Sequence, residues 1–387
     1  MEVTQVYSLM NTVTTEVLGQ SIVIAENLSN VVDIGTEIFN ADAVDRYVRS
    51  LVNHIGKVIF VNRPYRGSVP SVLMDGWEFG SVLEKITAEL PLAQENESWE
   101  LVDGASYDPN IFYQPKVSAK FFNKRVTFEI PMSFTEKQVK QSFSSATQLN
   151  AFLSMLYDSV DKAMTLKLDA LIMRTINNMT AETIQGTYGG DNALNGASHA
   201  RAVNLLYLYK QRYADAANLT AEQAITTPEF IRFAALTMSN YVDRMSKIST
   251  LFNGGGKPRF TPRDMLRIVM LADFKNAAGA YLQSDTFHDE FTKLPEAETV
   301  PFWQGSGTDY SFGQISEIHV NTASGNEINA SGILAVMFDR DALGVTNQDR
   351  RVTSNYNPKA EFYTNFYKFD AGYFNDLNEN FVVFFVA

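Results

Sequence analysis

The side chains that could carry catalysis are few and scattered along the chain. Four histidines stand far apart, and none belongs to an HExxH motif or lies at metal-ligand spacing from another; they are His54, His199, His288 and His319. The triplet His288-Asp289-Glu290 could contribute to a metal or acid–base site, but no partner motif accompanies it, so a surface turn is favoured. Cysteine is absent, which excludes thiol catalysis, disulfides and zinc–thiolate sites and is typical of a protein that matures in a reducing cytosol.

Two glycine-rich segments match known motifs only in part. Gly254-Gly255-Gly256-Lys257 lacks the GxxxxGK[ST] spacing of a phosphate loop, and a proline follows the lysine. Gln304-Gly305-Ser306-Gly307 is not a nucleophile elbow, because glycine is missing two residues before the serine. With 44 acidic residues, carboxylate pairs arise by chance, so the sequence does not locate a glycosidase-like pair. We therefore predict that the protein is not an enzyme and needs no cofactor and no metal.

Composition and charge narrow the class of protein. A chain of 387 residues with 45% hydrophobic and 20% charged residues is typical of a folded, multi-lobed subunit. Thirty-two basic and 44 acidic residues give a net charge of −12, which opposes sequence-specific binding of nucleic acid. No apolar run approaches the roughly 18 residues of a membrane span, and the first residues lack the basic segment of a signal peptide. We expect neither export nor a membrane anchor.

The first third of the chain is irregular. An apolar, loosely periodic arm reaches about Asn40, and Asp42 caps an amphipathic helix that stops at Gly56 and leads to a strand, Val58 to Val61. From 62 to about 110, prolines and glycines break the pattern into short strand-like pieces, which indicates an extended excursion. Alternating apolar residues on both sides of Asn123-Lys124 predict that a hairpin closes this excursion.

The rest of the chain alternates helices and strands without a βαβ repeat. A capping box at Thr135 to Gln138 precedes the strongest helical signal, about Ala146 to Met179, a length on the order of 50 Å. A second lobe has predicted helices at about 200–213, 228–251 and 272–281, with strands at about 267–271 and 315–320. The apolar run Ile333 to Phe338 predicts a fully buried strand, and an aromatic tail with a final apolar strand, Phe381 to Val386, follows it. The fold class is therefore α+β.

The order of these parts resembles the major capsid proteins of tailed bacteriophages with the HK97-like fold, in particular those of phages that infect Gram-positive bacteria. The segments that carry the resemblance are Phe121 to Lys140 leading into the helix at Ala146, and Gly332 to Gly344 with Arg350-Arg351-Val352. The resemblance implies five parts: an N-arm and N-terminal helix (1–61), a β-rich E-loop (62–132), a spine helix of the P-domain (133–198), an A-domain (mostly 199–345) and a C-terminal return to the P-domain sheet (346–387).

The function implied by the resemblance is that of a major capsid (head) protein. Such a protein assembles with itself, as hexamers and pentamers, into an icosahedral shell that encloses phage double-stranded DNA without sequence readout. It resides in the virion after assembly in the host cytoplasm. Because the sequence starts almost directly with the arm, we expect a separate scaffolding protein, and a portal protein is a further expected partner. The alternatives are an encapsulin-like compartment, a tail or baseplate protein, and a hydrolase with a β-rich insertion.

Aromatic residues are the predicted contacts between subunits, although packing in a β-rich core of a monomer would also explain them. The candidates are Trp77, Phe79, Trp99, Phe112, Tyr113, Tyr363 and Phe366. Some members of the resembling family cross-link subunits through a lysine and an asparagine. Lys85 and Asn355 or Asn357 lie in broadly suitable regions, but no motif accompanies them, so we expect no cross-link here.

Overall fold

The computed structural model describes residues 3–18, 30–40, 46–51, 69–74, 83–88, 102–106, 108, 110–114, 116–189, 197–284, 294–303, 317–323 and 325–387. The helices among them are α1 (Val3–Leu18), α2 (Val31–Asn40), α3 (46–51), α4 (Glu136–Ser142), α5 (Ala146–Tyr188), α6 (Leu205–Arg212), α7 (Ala221–Ala224), α8 (Pro228–Met245) and α9 (Ala272–Ser284). The strands are β1 (Leu73–Met74), β2 (Leu83–Ala88), β3 (Val117–Phe122), β4 (Arg125–Thr135), β5 (Ala202–Asn204), β6 (Leu266–Leu271), β7 (Glu298–Val300), β8 (Glu317–Asn321), β9 (Glu327–Ser331), β10 (Ile333–Asp339), β11 (Leu343–Asn357), β12 (Phe362–Asn375) and β13 (Phe381–Phe385).

A four-stranded sheet is built on the long antiparallel pair β11 and β12. Its strand order is β1-β11-β12-β4, with β4 antiparallel to β12 and β1 parallel to β11. The turn between β11 and β12 forms because the Asn357 side-chain oxygen accepts the backbone N–H groups of Lys359 and Ala360. Glu361 then takes a positive φ of 50°, and its carbonyl accepts the N–H of Glu136 at 2.9 Å. The start of α4 is therefore tied to this turn.

A five-stranded sheet forms the core of the rest of the molecule. Its order is β5-β13-β10-β6-β7, and every residue of β10 and β13 is buried. Such unbroken apolar runs are expected when both faces of a strand are covered. The helices α5 and α6 contact β13, and α9 contacts β6 and β7. The prediction of a fully buried strand at Ile333 to Phe338 is confirmed.

The long helix α5 packs against both sheets. It begins after Ser145, whose hydroxyl oxygen accepts the N–H of Gln148 at 3.2 Å, and it contacts β4, β11 and β12 of one sheet and β5 and β13 of the other. Its 43 residues extend past the predicted end at Met179 to Tyr188. The added turns are rich in threonine, and Thr180 and Thr183 bond the carbonyls four residues earlier, so no apolar period marks them.

Two short segments connect the two sheets directly, residues 340–342 between β10 and β11 and residues 376–380 between β12 and β13. We call them the crossover junction. The two crossings lie side by side. The N–H of Asp376 donates to the carbonyl of Ala342 at 2.7 Å, and the N–H of Asp339 donates to the carbonyl of Asn380 at 3.0 Å. As a result, the predicted segment 346–387 contributes β11 and β12 to the four-stranded sheet and β13 to the five-stranded sheet. The predicted domain boundaries remain a prediction.

Several local predictions were wrong. The predicted hairpin around Asn123-Lys124 does not form, because β3 pairs with β2 and β4 pairs with β12. The chain turns a corner there, and the carbonyl of Lys124 accepts the N–H of Tyr373. The described parts of the N-terminal arm are helical, and the helix from Pro228 ends at Met245, before the predicted 251.

Other local predictions were confirmed or lie beyond what the structure describes. The capping box is confirmed, since the Thr135 hydroxyl accepts the N–H of Gln138 and the Gln138 side chain accepts the N–H of Thr135. The predicted helix start at Asp42 and the strand Val58 to Val61 lie outside the described residues.

Two glycines with positive φ test how tightly the end of the chain is packed. Gly332 has φ +74°, and a Cβ there would collide with the carbonyl oxygen of Val386; Gly325 has φ +85° and open space. We expect Gly325→Ala to lower the free energy of unfolding by about 1 kcal/mol, from backbone strain alone. Gly332→Ala should lower it by about 3 kcal/mol, because overpacking is added. Urea denaturation of both variants measures the difference; equal losses would contradict close packing at Gly332.

Candidate subunit-interface hairpin

The strands β2 and β3 pair as a two-stranded antiparallel sheet with two unlike faces. Residues 89–116 separate the two strands in the sequence, and we call the strand pair the hairpin. Their antiparallel register pairs Leu83 with Phe122 and continues residue by residue to Ala88 with Val117. Directly opposite residues of an antiparallel pair point to the same face. One face therefore carries three cross-strand pairs, Leu83/Phe122, Lys85/Lys120 and Thr87/Ser118. The other carries Glu84/Phe121, Ile86/Ala119 and Ala88/Val117. The first face is mostly polar and is half-buried except at Ser118, and the second face is exposed and mostly apolar.

The half-buried face is attached to the crossover junction by charge. The ammonium of Lys85 lies 3.0 Å from a carboxylate oxygen of Asp376 and 2.7 Å from one of Glu379. The ammonium of Lys120 lies 2.8 Å from the other oxygen of Asp376. Arg259 Nε lies 3.2 Å from Glu379, close enough for an ion pair but without hydrogen-bond alignment. We call these five side chains the anchor network.

Asp376 is at the centre of the anchor network, and its side chain is only 1% exposed. Burial raises the pKa of Asp376. The hydrogen bond from Lys120, the charge of Lys85 and the N–H of Asn378 lower it, and their combined effect is larger, so the pKa lies below its ordinary value. The nearby Asp339 behaves differently. Burial is the largest influence there and raises its pKa, while bonds from Asp341 and Thr261 offset it only in part. Asp376 therefore stays ionised between its two lysines.

The outward face of the hairpin exposes apolar side chains of a size usually found in a core. Ile86 is 65% exposed, Phe121 64% and Val117 60%. The neighbouring segment adds Phe112, 83% exposed, and Tyr113, 72% exposed. A monomeric soluble protein rarely exposes a contiguous apolar surface, and such surfaces commonly mark interaction sites. This inverted arrangement, with lysines inside and apolar residues outside, identifies the outward face as a candidate interface.

The predicted interface residues fall into four groups, of which Phe366 is the last. Phe112 and Tyr113 are exposed, as a contact with another subunit requires. Trp77, Phe79 and Trp99 lie outside the described residues. The prediction for Tyr363 was wrong, because its side chain is buried in this chain's own core, with its ring centroid 5.9 Å from Phe134 and 4.8 Å from Tyr356.

Phe366 is half-buried, and the Lys368 ammonium lies 5.6 Å from its ring centroid. Sequence reasoning did not single out Ile86, Val117 and Phe121, the exposed apolar residues of the candidate interface. The period-2 alternation of β3 was visible, but alternation does not say which face is turned toward water.

The motifs considered for chemistry have structural explanations or lie outside the described residues. His288-Asp289-Glu290 and Gln304 to Gly307 belong to the latter. The glycine run packs on the crossover junction, because the N–H of Gly255 donates to the carbonyl of Leu377 at 2.9 Å and a Cβ would collide with Asn378. Within the part of the chain that the structure describes, no three acidic or histidine side chains are grouped to hold a metal ion, and no helix is long and apolar enough to cross a membrane.

The lowered pKa of Asp376 predicts a pH-dependent stability. Its carboxylate contributes above the unfolded pKa of about 3.9, and the contribution is lost as pH falls through the lower folded pKa. We expect Asp376→Asn to cost about 2 kcal/mol at neutral pH, a figure reduced for the partly exposed lysines, and progressively less as the pH is lowered below about 3.9. Urea unfolding across this range measures it. Asp341→Asn, at an exposed position in the same junction, should stay within about 0.5 kcal/mol of wild type. A cost of Asp376→Asn that did not change with pH would contradict the ion-pair assignment.

Comparisons with known sequences and structures bear on the fold and the family. None of the curated proteins compared with the sequence matches it. The capsid structure of Staphylococcus phage Andhra matches with a TM-score of 0.50 at 11% identity, over 84% of this chain and 86% of that chain. The capsid of cyanophage P-SCSP1u matches with a TM-score of 0.42 at 10% identity, over 82% and 86% of the two chains. The likeness to the Andhra capsid, together with the α+β architecture, confirms the predicted HK97-like capsid fold.

The family assignment rests on nearly the whole sequence. A model described as Phi29-like phage major capsid protein matches residues 10–385. This agrees with the expectation from the order of the parts along the chain. The chain therefore belongs to the Phi29-like family of phage major capsid proteins, which assemble with copies of themselves into the shell of the virion.

Proposed function

We propose that copies of this chain form hexamers and pentamers and close into an icosahedral shell around phage double-stranded DNA, and that the outward face of the β2–β3 hairpin is one of the contacts between copies. The observation that carries the proposal is the inverted polarity of the hairpin. A two-stranded hairpin that kept its apolar residues for its own subunit would turn Ile86 and Phe121 inward and Lys85 and Lys120 outward. This hairpin does the reverse.

The energy of such a contact is sufficient to matter. Full burial of one large apolar side chain stabilises by about 1.5–3 kcal/mol, so Ile86, Val117 and Phe121 together supply several kcal/mol before the cost of association. In a hexamer or pentamer this face would meet a different surface of the neighbouring copy, so the contact would be heterologous. Heterologous contacts that close generate rings, which is the geometry of a hexamer or pentamer. Trp77, Phe79, Trp99 and Phe366 are further proposed contacts.

Other partners follow from the same role. Packaged DNA would be contacted without sequence readout, because the net charge of −12 gives no general attraction for phosphates and leaves contact to local basic groups and counter-ions. Scaffolding and portal proteins are proposed as assembly partners, with assembly in the cytoplasm of a Gram-positive host. We propose no catalytic role. The family does not favour an encapsulin-like compartment, a tail or baseplate protein, or a hydrolase.

The interface is tested by making its apolar face polar. We expect the double variant Ile86→Ser, Phe121→Ser to remain folded as a subunit but to form few or no closed particles, because the face no longer gains from burial. Electron microscopy after sedimentation measures this, with the protein expressed alone and with a scaffolding protein.

The control is Leu166→Ser, which removes an exposed apolar side chain from α5. It should assemble as the wild type does. Normal particle yield from the double variant would show that this face is not a contact between copies.

A further inference from the structure

The orientation of the hairpin relative to the body is not set by apolar contact alone. An isolated two-stranded hairpin is marginally stable in water. Apolar attraction is also non-directional. On the half-buried face, Leu83 and Phe122 provide apolar contact, with the Phe122 ring centroid 5.1 Å from that of Phe374. The ion pairs that join this face to the body are made by Lys85 and Lys120, and their geometry is directional.

We infer that the acidic side chains of the crossover junction position the hairpin for assembly, so that a free subunit assembles efficiently only while Lys85 and Lys120 are bound to Asp376 and Glu379. This inference rests on the proposed role of the hairpin as an interface and names what orients it. Asp376 and Glu379 are positioning residues: they hold the hairpin and are not themselves part of its outward face.

The acidic side of the network is fixed rigidly. The N–H of Glu379 donates to the carbonyl of Asp376 at 3.1 Å, and the N–H of Asn378 donates to a carboxylate oxygen of Asp376 at 3.1 Å. The side chain of Asn380 donates to the Thr261 hydroxyl at 3.1 Å. Because the junction connects both sheets, the hairpin takes its orientation from the body as a whole.

The lysine side of the network is reversible. The side chain of Lys85 is 18% exposed and that of Lys120 is 41% exposed, so water and salt reach both ion pairs. The Lys85 ammonium also lies 3.3 Å from the carbonyl oxygen of Asp341, which gives it three oxygen partners in the junction. Partly exposed ion pairs hold a direction at a small net energy, so the hairpin can be released without unfolding the body.

The test replaces both lysines by methionine, which keeps the length of the side chain and removes the charge. The control is Lys116→Met with Lys124→Met. These two lysines are exposed, lie close to the hairpin in sequence and are not members of the anchor network, and the control removes the same total charge.

Hydrogen exchange of the amides of 83–88 and 117–122 is measured in unassembled subunits, and assembly is followed by light scattering and electron microscopy. For the Lys85→Met, Lys120→Met variant we expect at least about tenfold faster exchange and about tenfold slower assembly. The control should show wild-type values. The Lys85→Arg, Lys120→Arg variant keeps both charges and should assemble at close to the wild-type rate.

A measurement on the wild-type subunit removes dependence on variants. Raising salt from about 0.1 M to about 1 M shortens the Debye length from about 10 Å to about 3 Å. Exchange in the hairpin should rise with salt, while exchange in β10 and β13 should not.

The inference is overturned if the methionine variant assembles at the wild-type rate, whatever its exchange, or if salt leaves the hairpin amides unchanged. Failure of the proposed interface has a different signature, which is normal assembly of the Ile86→Ser, Phe121→Ser variant.

Discussion

The two short segments of the crossover junction constrain how the two sheets and the hairpin are placed in this subunit. They lie side by side and share backbone hydrogen bonds, so neither sheet can rotate against the other without breaking the pairing of Asp376 with Ala342 and of Asp339 with Asn380. The helix α5 reinforces the arrangement by contacting strands of both sheets. The same short crossover junction binds the lysines of β2 and β3 and receives the glycine run at 254–256. The hairpin, both sheets and the loop before β6 are therefore all attached to the crossover junction.

The hairpin shows a balance between the needs of the free subunit and those of the shell. Turning lysines inward costs desolvation, which the carboxylates of Asp376 and Glu379 offset. Turning Ile86, Val117 and Phe121 outward gives up burial that the free subunit could have used. Both choices are unfavourable for a monomer and reasonable for a protein whose family assembles with itself. The polarity of the hairpin is therefore explained by the assembled protein and not by the stability of the free subunit.

The sequence predicted elements whose signals are local and strong. The start of α5, the capping box at Thr135 and the buried strand β10 follow from side chains that act within one or two turns, or from an unbroken apolar run. It did not predict the partner of β3, since alternation is the same whichever strand lies alongside. Nor could it separate Tyr363, which is buried, from Phe112, which is exposed, because the two residue types pack equally well in a core or an interface. Which face meets water is decided by tertiary structure.

The length of α5 sets a minimum length for the subunit, which serves as one tile of the shell. At about 1.5 Å per residue, its 43 residues span about 65 Å. Its contacts with both sheets stiffen the subunit along the direction of this helix. A stiff tile covers a curved surface by changing the angles at which neighbouring tiles meet, since the tile itself bends little. Differences in curvature across a shell would then be taken up at the contacts between subunits.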